Sequence, residues 1–131
     1  MRSERDIEAY LGRMNRSFQS VDGRPGTYFV GDGGDGKMPP IVLRVDPPLV
    51  VMRVNIGQAH ESLALYKKLL TLNAESHVHT SFGLEDDRIV LCAALELENL
   101  DFNELEAAIA EMDLTLVEQV PNLSELSKKD L

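Results

Sequence analysis

The chain has 131 residues, the length of one domain, and 44% of them are apolar, which is enough to bury an ordinary core. Its net charge of −9 opposes binding to nucleic acid phosphates and to anionic lipid headgroups. No run of 18 apolar residues is present to span a membrane, and the single cysteine excludes an internal disulfide.

The negative charge is concentrated towards the C-terminus. Residues 84–131 contain 13 acidic and three basic side chains, whereas residues 1–83 contain nine acidic and ten basic ones. Such a surface keeps a protein soluble and also tolerates a basic or polar polypeptide. The N-terminus lacks the apolar centre of a signal peptide, and a lone cysteine suits a reducing compartment. We therefore expect a cytoplasmic protein with no nucleic acid or membrane partner.

The first predicted element is a helix from Ser3 to about Ser20. Ser3 and Asp6 resemble a capping box, which marks a helix N-terminus. A turn at residues 22–26 and a short strand, Thr27–Val30, follow it. The apolar side chains at helical spacing are Ile7, Tyr10, Leu11, Met14 and Phe18.

A glycine-rich stretch, GDGGDGKM at residues 31–38, has the glycine and lysine spacing of a phosphate-binding P-loop. A P-loop requires Ser or Thr after its lysine and then a helix, but Lys37 is followed by Met-Pro-Pro. Asp32 and Asp35 would repel phosphate, and they lack the bidentate glutamate of a calcium loop. We therefore predict a plain connection between two strands, with no nucleotide or other cofactor.

Two apolar strands, at residues 41–45 and 50–56, are predicted to form a β-hairpin with a four-residue loop. The register that pairs Val45 with Val50 and Leu43 with Met52 places all these side chains on one face. The other face is half polar and carries Val42, Arg44, Val51 and Arg53.

A second helix is predicted from His60 to Asn73, with Asn73 as its C-cap. A second hairpin follows, with strands at residues 77–84 and 88–97. Both faces of the latter strand are mostly apolar, which indicates that a helix and a sheet, or a second subunit, cover them. The predicted apolar side of the helix carries Leu63, Tyr66, Leu69 and Leu70.

The last predicted helix begins after Asp101, with Glu104 three residues further on, and its apolar pattern weakens near Pro121. The chain is therefore predicted to be one domain at residues 1–121, followed by a polar, fraying tail at 122–131. The predicted order, α-β-β-β-α-β-β-α, indicates an α+β fold with a five-stranded antiparallel sheet and helices packed against it.

Candidate catalytic or metal-binding groups are few. His77 and His79 share a strand face, with His60 or Asp86 as a conceivable third ligand, but two histidines at this spacing are more typical of a solvated strand. Cys92 lies among aliphatic residues, which favours an inert thiol. The sequence therefore favours a binding module over an enzyme.

Two segments carry a resemblance to a known family: LYKKLLTLNA at residues 65–74 and SFGLEDDRIVLCAALELENLDFNELEAAIAEM at residues 81–112. They resemble the middle helix, Phe-Gly hairpin, apolar strand and last helix of the type III secretion chaperone-like superfamily. That superfamily includes the Tir-chaperone (CesT) type and the related YbjN-type proteins.

The resemblance implies a small, cytoplasmic, non-enzymatic homodimer. A member of the chaperone type would hold an extended segment of a partner protein, whereas a YbjN-like member would have a regulatory or structural role. The expected partner-binding residues are Leu11, Met14, Val42, Arg44, Val51 and Arg53. The expected dimer-interface residues are Leu63, Tyr66, Leu70, Val90 and Cys92.

Overall fold

A computed structural model describes residues 1–31, 39–75 and 78–128 of the chain. Most of the glycine-rich stretch and His77 lie outside these ranges, so the predictions made for them are not addressed. The helices are α1 (Glu4–Arg13), α2 (Leu63–Glu75) and α3 (Phe102–Lys128). The strands are β1 (Phe18–Ser20), β2 (Thr27–Val30), β3 (Ile41–Asp46), β4 (Leu49–Gln58), β5 (Ser81–Glu85) and β6 (Arg88–Glu96).

The strands form one antiparallel sheet in the order β1-β2-β3-β4-β6-β5. The α+β class is confirmed, but the predicted count of five strands is wrong because β1 makes a sixth. The first helix ends at Arg13 instead of Ser20, since Asn15 adopts a left-handed conformation (φ 59°) that stops the helix. Phe18 then enters β1, where its ring meets Tyr28 edge to face.

All three helices pack on the same face of the sheet. The core joins helical side chains to alternate strand residues, which point to one face because strand side chains alternate with a period of two. The strand residues of this core include Val30, Leu43, Met52, Val54 and Leu91, and the helical ones include Ile7, Leu11, Leu65, Leu69, Leu105, Ile109 and Met112.

The first hairpin has the predicted register, with Val45 opposite Val50 and Leu43 opposite Met52. Its connection is shorter than the four residues predicted, because only Pro47 and Pro48 separate β3 from β4. In the second hairpin, Asp86 and Asp87 both have positive φ (50° and 63°). Two such residues form the tight turn whose twist suits a hairpin, and Asp tolerates this conformation.

The middle helix is positioned at both ends by polar side chains. The Ser62 hydroxyl accepts the Leu65 N–H at 3.1 Å and caps α2. The prediction that Asn73 forms the C-cap is wrong, since α2 continues to Glu75. The Asn73 amide instead donates to the Phe82 carbonyl at 3.0 Å and accepts the Phe82 N–H at 2.7 Å, which joins α2 to the edge strand β5.

The last helix begins as predicted, with the Asp101 carboxylate accepting the Glu104 N–H at 2.8 Å. It crosses residue 121, the predicted end of the domain, and continues to Lys128. The helix therefore runs through the boundary predicted at residue 121, and residues 122–128 are helical. Proline interrupts one helical hydrogen bond, but Leu123 is buried in the core, and this packing favours continuation of the helix.

Candidate functional site

The face of the sheet away from the helices is left uncovered in the monomer, and we call it the open sheet face. One row of cross-strand partners runs over five strands of it: Phe29 pairs with Val42, Val42 with Arg53, Arg53 with Cys92, and Cys92 with Ser81. Phe29 is 44% exposed, and Cys92 is half-buried. The face therefore offers both apolar and charged groups to solvent.

A groove of about 540 Å³ lies on this face, and we call it the arginine groove. It brings together all four of the sheet residues that the sequence predicted for partner binding. Sequence reasoning missed Arg24, which reaches the groove from the turn before β2. The residues lining the groove are Arg24, Pro25, Thr27, Val42, Arg44, Val51 and Arg53.

The arginines of β3 and β4 make exposed ion pairs at the rim of the groove. Arg44 lies 3.2 Å from the carboxylate of Asp46, and Arg53 lies 2.5 Å from that of Glu85 across the intervening strand β6. All four side chains are about half exposed, so each pair contributes only about 0–1 kcal/mol to stability. Both guanidinium groups therefore remain available to another carboxylate.

The two helical residues predicted for partner binding lie apart from the groove. Leu11 is fully buried, so it belongs to the core and offers no surface to a partner. Met14 is partly buried and packs against the core at the end of α1. It lines a separate cavity of about 370 Å³ between α1 and α3 with Arg16, Asn103, Glu106, Ala107 and Ala110.

A second apolar surface lies where α2 meets the edge strand β5. We call Leu63, Tyr66, Leu70 and Leu84 the α2 patch; the two α2 leucines are each 69% exposed, and Leu84 is 50% exposed. A cavity of about 230 Å³ runs between α2 and β5, beside Tyr66, Leu70 and Leu84. Sequence reasoning missed Leu84, although its spacing from Phe82 places both on one strand face.

The predicted dimer-interface residues do not form one surface. Leu63, Tyr66 and Leu70 belong to the α2 patch, on the helical side of the sheet. Val90 and Cys92 point to the opposite side, because Leu91 between them faces the core. Val90 is already 94% buried within the monomer, since only 6% of it is exposed.

The shifted pKa values of Tyr28 and Asp6 reflect local packing. Burial raises the pKa of Tyr28 to about 12, with a further contribution from the Glu8 carboxylate. Backbone and side-chain hydrogen bonds with Ser3 lower the pKa of Asp6, as expected for the predicted capping box. Both groups are explained by their structural contacts, and neither lies in the arginine groove.

Within residues 1–31, 39–75 and 78–128, no group of three or more His, Cys, Asp or Glu side chains is placed to hold a metal ion. This does not test the predicted pairing of His79 with His77, which lies outside those ranges. No helix within the described ranges is both long and apolar enough to cross a bilayer.

The chain belongs to the CesT_Tir_1 family, whose model matches residues 1–129. The predicted resemblance is thereby confirmed. No curated protein sequence matches the chain.

Solved structures show the same fold at low sequence identity. A chain of the ExoU–SpcU complex, from the type III secretion system of Pseudomonas aeruginosa, superposes with a TM-score of 0.68 at 17% identity, covering 88% of this chain and 95% of that one. YbjN from E. coli superposes with a TM-score of 0.65 at 14% identity, covering 89% of this chain and 90% of that one. A chain of the complex of the Yersinia pestis type III secretion chaperone SycH with a YscM2 fragment superposes with a TM-score of 0.59 at 17% identity, covering 84% of this chain and 95% of that one.

Proposed function

We propose that the chain is a cytoplasmic, non-enzymatic chaperone that holds a segment of a partner polypeptide. The observation that carries the proposal is the open sheet face, where the arginine groove combines apolar and cationic side chains that are only partly covered in the monomer. Similar structures include complexes of a chaperone with an effector or with a fragment of another protein. The family assignment supports a binding role of the same kind.

We further propose that the working form is a homodimer that buries the α2 patch. Two leucines that are each 69% exposed on one helix form an unusual surface for an isolated soluble domain. The neighbouring strand β5 adds Leu84, so a second copy related by a two-fold axis would cover a continuous apolar area. On the other side of the sheet, Cys92 belongs to the open sheet face and Val90 is almost fully buried, so neither contributes to this interface.

Affinity capture followed by limited proteolysis tests the binding role. The tagged chain is expected to retain a protein from the native cytoplasm, and protease should then trim that protein to a protected segment with no globular fold of its own. A Val42→Glu/Val51→Glu variant, altered in the groove, should lose the segment, whereas Glu118→Gln on the exposed side of α3 should keep it. Equal retention by both variants would contradict the proposed site.

A YbjN-like regulatory or structural dimer is the second candidate. It is supported by the E. coli YbjN structure, which matches this fold about as well as the secretion chaperone complexes do. This role predicts a stable dimer that retains no protected polypeptide segment under the same capture conditions.

A further inference from the structure

We propose that the arginine groove selects partner segments in which an acidic side chain stands two residues from an apolar one. This inference rests on the proposed binding of a polypeptide, and it names the chemistry of the segment that is bound.

The sign of the charge in the groove is opposite to that of the whole protein. The chain has a net charge of −9, yet three arginines and no acidic residue line the groove. Helix α3, on the other side of the sheet, carries six acidic and no basic residues between Phe102 and Leu126. An acidic segment is therefore repelled by the side of the molecule that carries α3 and attracted at the groove, which favours binding at this site.

The spacing of the groove side chains matches an extended polypeptide. Arg44 lies opposite Val51, and Val42 lies opposite Arg53, so cationic and apolar groups alternate both along and across the two strands. Along each strand the valine and the arginine are two residues, or roughly 6.7 Å, apart. In an extended segment, the side chains on one side are also spaced two residues apart. An apolar residue and an acidic residue two positions away would therefore contact Val42 and Arg44 at the same time.

The arginine side chains of the groove can bind such carboxylates. The pairs Arg44–Asp46 and Arg53–Glu85 are exposed, so a bound carboxylate exchanges for Asp46 or Glu85 at little cost. Among the described residues, Arg24 makes no ion pair. Arginine binds a carboxylate through two parallel hydrogen bonds. Its interaction is therefore more directional than that of a point charge.

The test uses two labelled peptides that carry opposite charges at the same positions. One contains three Val-Ser-Asp-Ser repeats, and the other contains three Val-Ser-Lys-Ser repeats. In fluorescence anisotropy at 0.05 M salt, the full chain is expected to bind the aspartate peptide about tenfold more tightly than the lysine peptide. The difference should shrink as salt is raised, because the contacts are exposed ion pairs.

Charge reversal inside the groove supplies the decisive comparison. Arg24→Glu/Arg44→Glu is expected to reverse the preference, so that the lysine peptide binds better. Arg5→Glu/Lys68→Glu changes the net charge equally but lies on α1 and α2, so it should keep the preference for the aspartate peptide. The milder Arg24→Gln/Arg44→Gln should abolish the preference, and it serves as the test if the reversed variant does not fold.

The proposal is overturned if the wild-type chain binds both peptides equally, or if its preference survives the groove substitutions in a folded variant. The natural partner separates this failure from failure of the proposed function. If the groove variants still capture that partner, the groove assignment is wrong but polypeptide binding stands. If the peptides behave as expected and the wild-type chain captures no partner, the groove chemistry is right but the chaperone role is wrong.

Discussion

The carboxylate of Glu111 accepts hydrogen bonds from both donors of Thr80, with Oε2 lying 2.6 Å from the threonine hydroxyl oxygen and 2.7 Å from its backbone nitrogen. The same carboxylate accepts the N–H groups of Val78 and His79, at 3.0 Å each. Thr80 directly precedes β5, so one side chain of α3 fixes the start of the edge strand. This strand contributes Leu84 to the α2 patch.

Replacing Glu111 should therefore loosen the connection before β5. Glu111→Gln keeps the size of the side chain but leaves one oxygen where two were available, and it removes the charge that strengthens each hydrogen bond. We expect a loss of about 1–3 kcal/mol in the free energy of unfolding, measured by urea denaturation. Glu118→Gln, at an exposed position of the same helix, is the control and should change stability by less than about 0.5 kcal/mol.

The same contacts make stability depend on pH. Burial of Glu111 raises the pKa of its carboxyl, but the hydrogen bonds from Thr80, Val78 and His79 outweigh this effect, and the pKa lies below its usual 4.5. The stabilisation is therefore complete above pH 4.5 and is lost as the pH falls through the lowered pKa. Melting temperatures between pH 3 and 6 should fall less steeply for Glu111→Gln than for the wild type; parallel curves would contradict this.

Leu11 and Met14 should respond differently to truncation. Leu11 has no exposed surface, so Leu11→Ala should leave a cavity and destabilise the chain by about 2–5 kcal/mol. Met14 is only partly buried, and Met14→Ala should cost less. Chemical denaturation measures the free energy of unfolding of both variants. Small and equal losses of this free energy would show that Leu11 is not part of the core.

The proposed homodimer predicts a concentration-dependent mass. Sedimentation equilibrium at micromolar concentration should show a species of twice 14.6 kDa for the wild type. Leu63→Asp/Leu70→Asp should give folded monomers, because each substitution places a charge in the apolar patch. Leu114→Asp is the control, since Leu114 is 58% exposed on α3 and is not one of the residues of the patch. A single 14.6 kDa species for the wild type would contradict the dimer.

Gly26 should be among the least replaceable residues beside the groove. Its φ is +76°, and a Cβ there would lie 3.0 Å from the Glu4 carboxylate and 3.2 Å from the carbonyl oxygen of Val45. Gly26→Ala is expected to destabilise the chain by about 1–3 kcal/mol. Gly12→Ala, inside α1, is the matched control: apart from the neighbouring backbone of the helix itself, no described atom lies within 4 Å of the added Cβ, so stability should rise by up to about 1 kcal/mol. In thermal unfolding, the melting temperature should therefore fall for Gly26→Ala and rise for Gly12→Ala.

The hairpin that carries the groove was predictable because strand alternation is a local rule. Once Val45 is paired with Val50, the positions of Val42, Arg44, Val51 and Arg53 on the opposite face follow. Arg24 was not predictable in the same way. It reaches the groove only because the turn at Gly26 is tied to β3, where the Gly26 carbonyl accepts the Val45 N–H at 2.8 Å.

Helical spacing alone was misleading at two places. Phe18 continues the periodicity of α1, but the left-handed Asn15 ends the helix first, and the next residues pair with β2. In α2, leucines occur around most of the helix, so the pattern could not tell the buried side from the exposed one. The structure buries Leu65, Leu69 and Leu72 and exposes the two leucines of the α2 patch. Both outcomes depend on tertiary packing.

The Asn73 side chain has a consequence for aggregation. An edge strand whose N–H and C=O groups are free is a template on which another chain can add, and β5 lies at one edge of the sheet. The Asn73 amide occupies both backbone groups of Phe82, in the middle of the edge strand that lies beside the exposed leucines. It thus blocks strand addition where an apolar patch would otherwise promote it, and Asn73→Ala should make light scattering rise during refolding even if the dimer still forms.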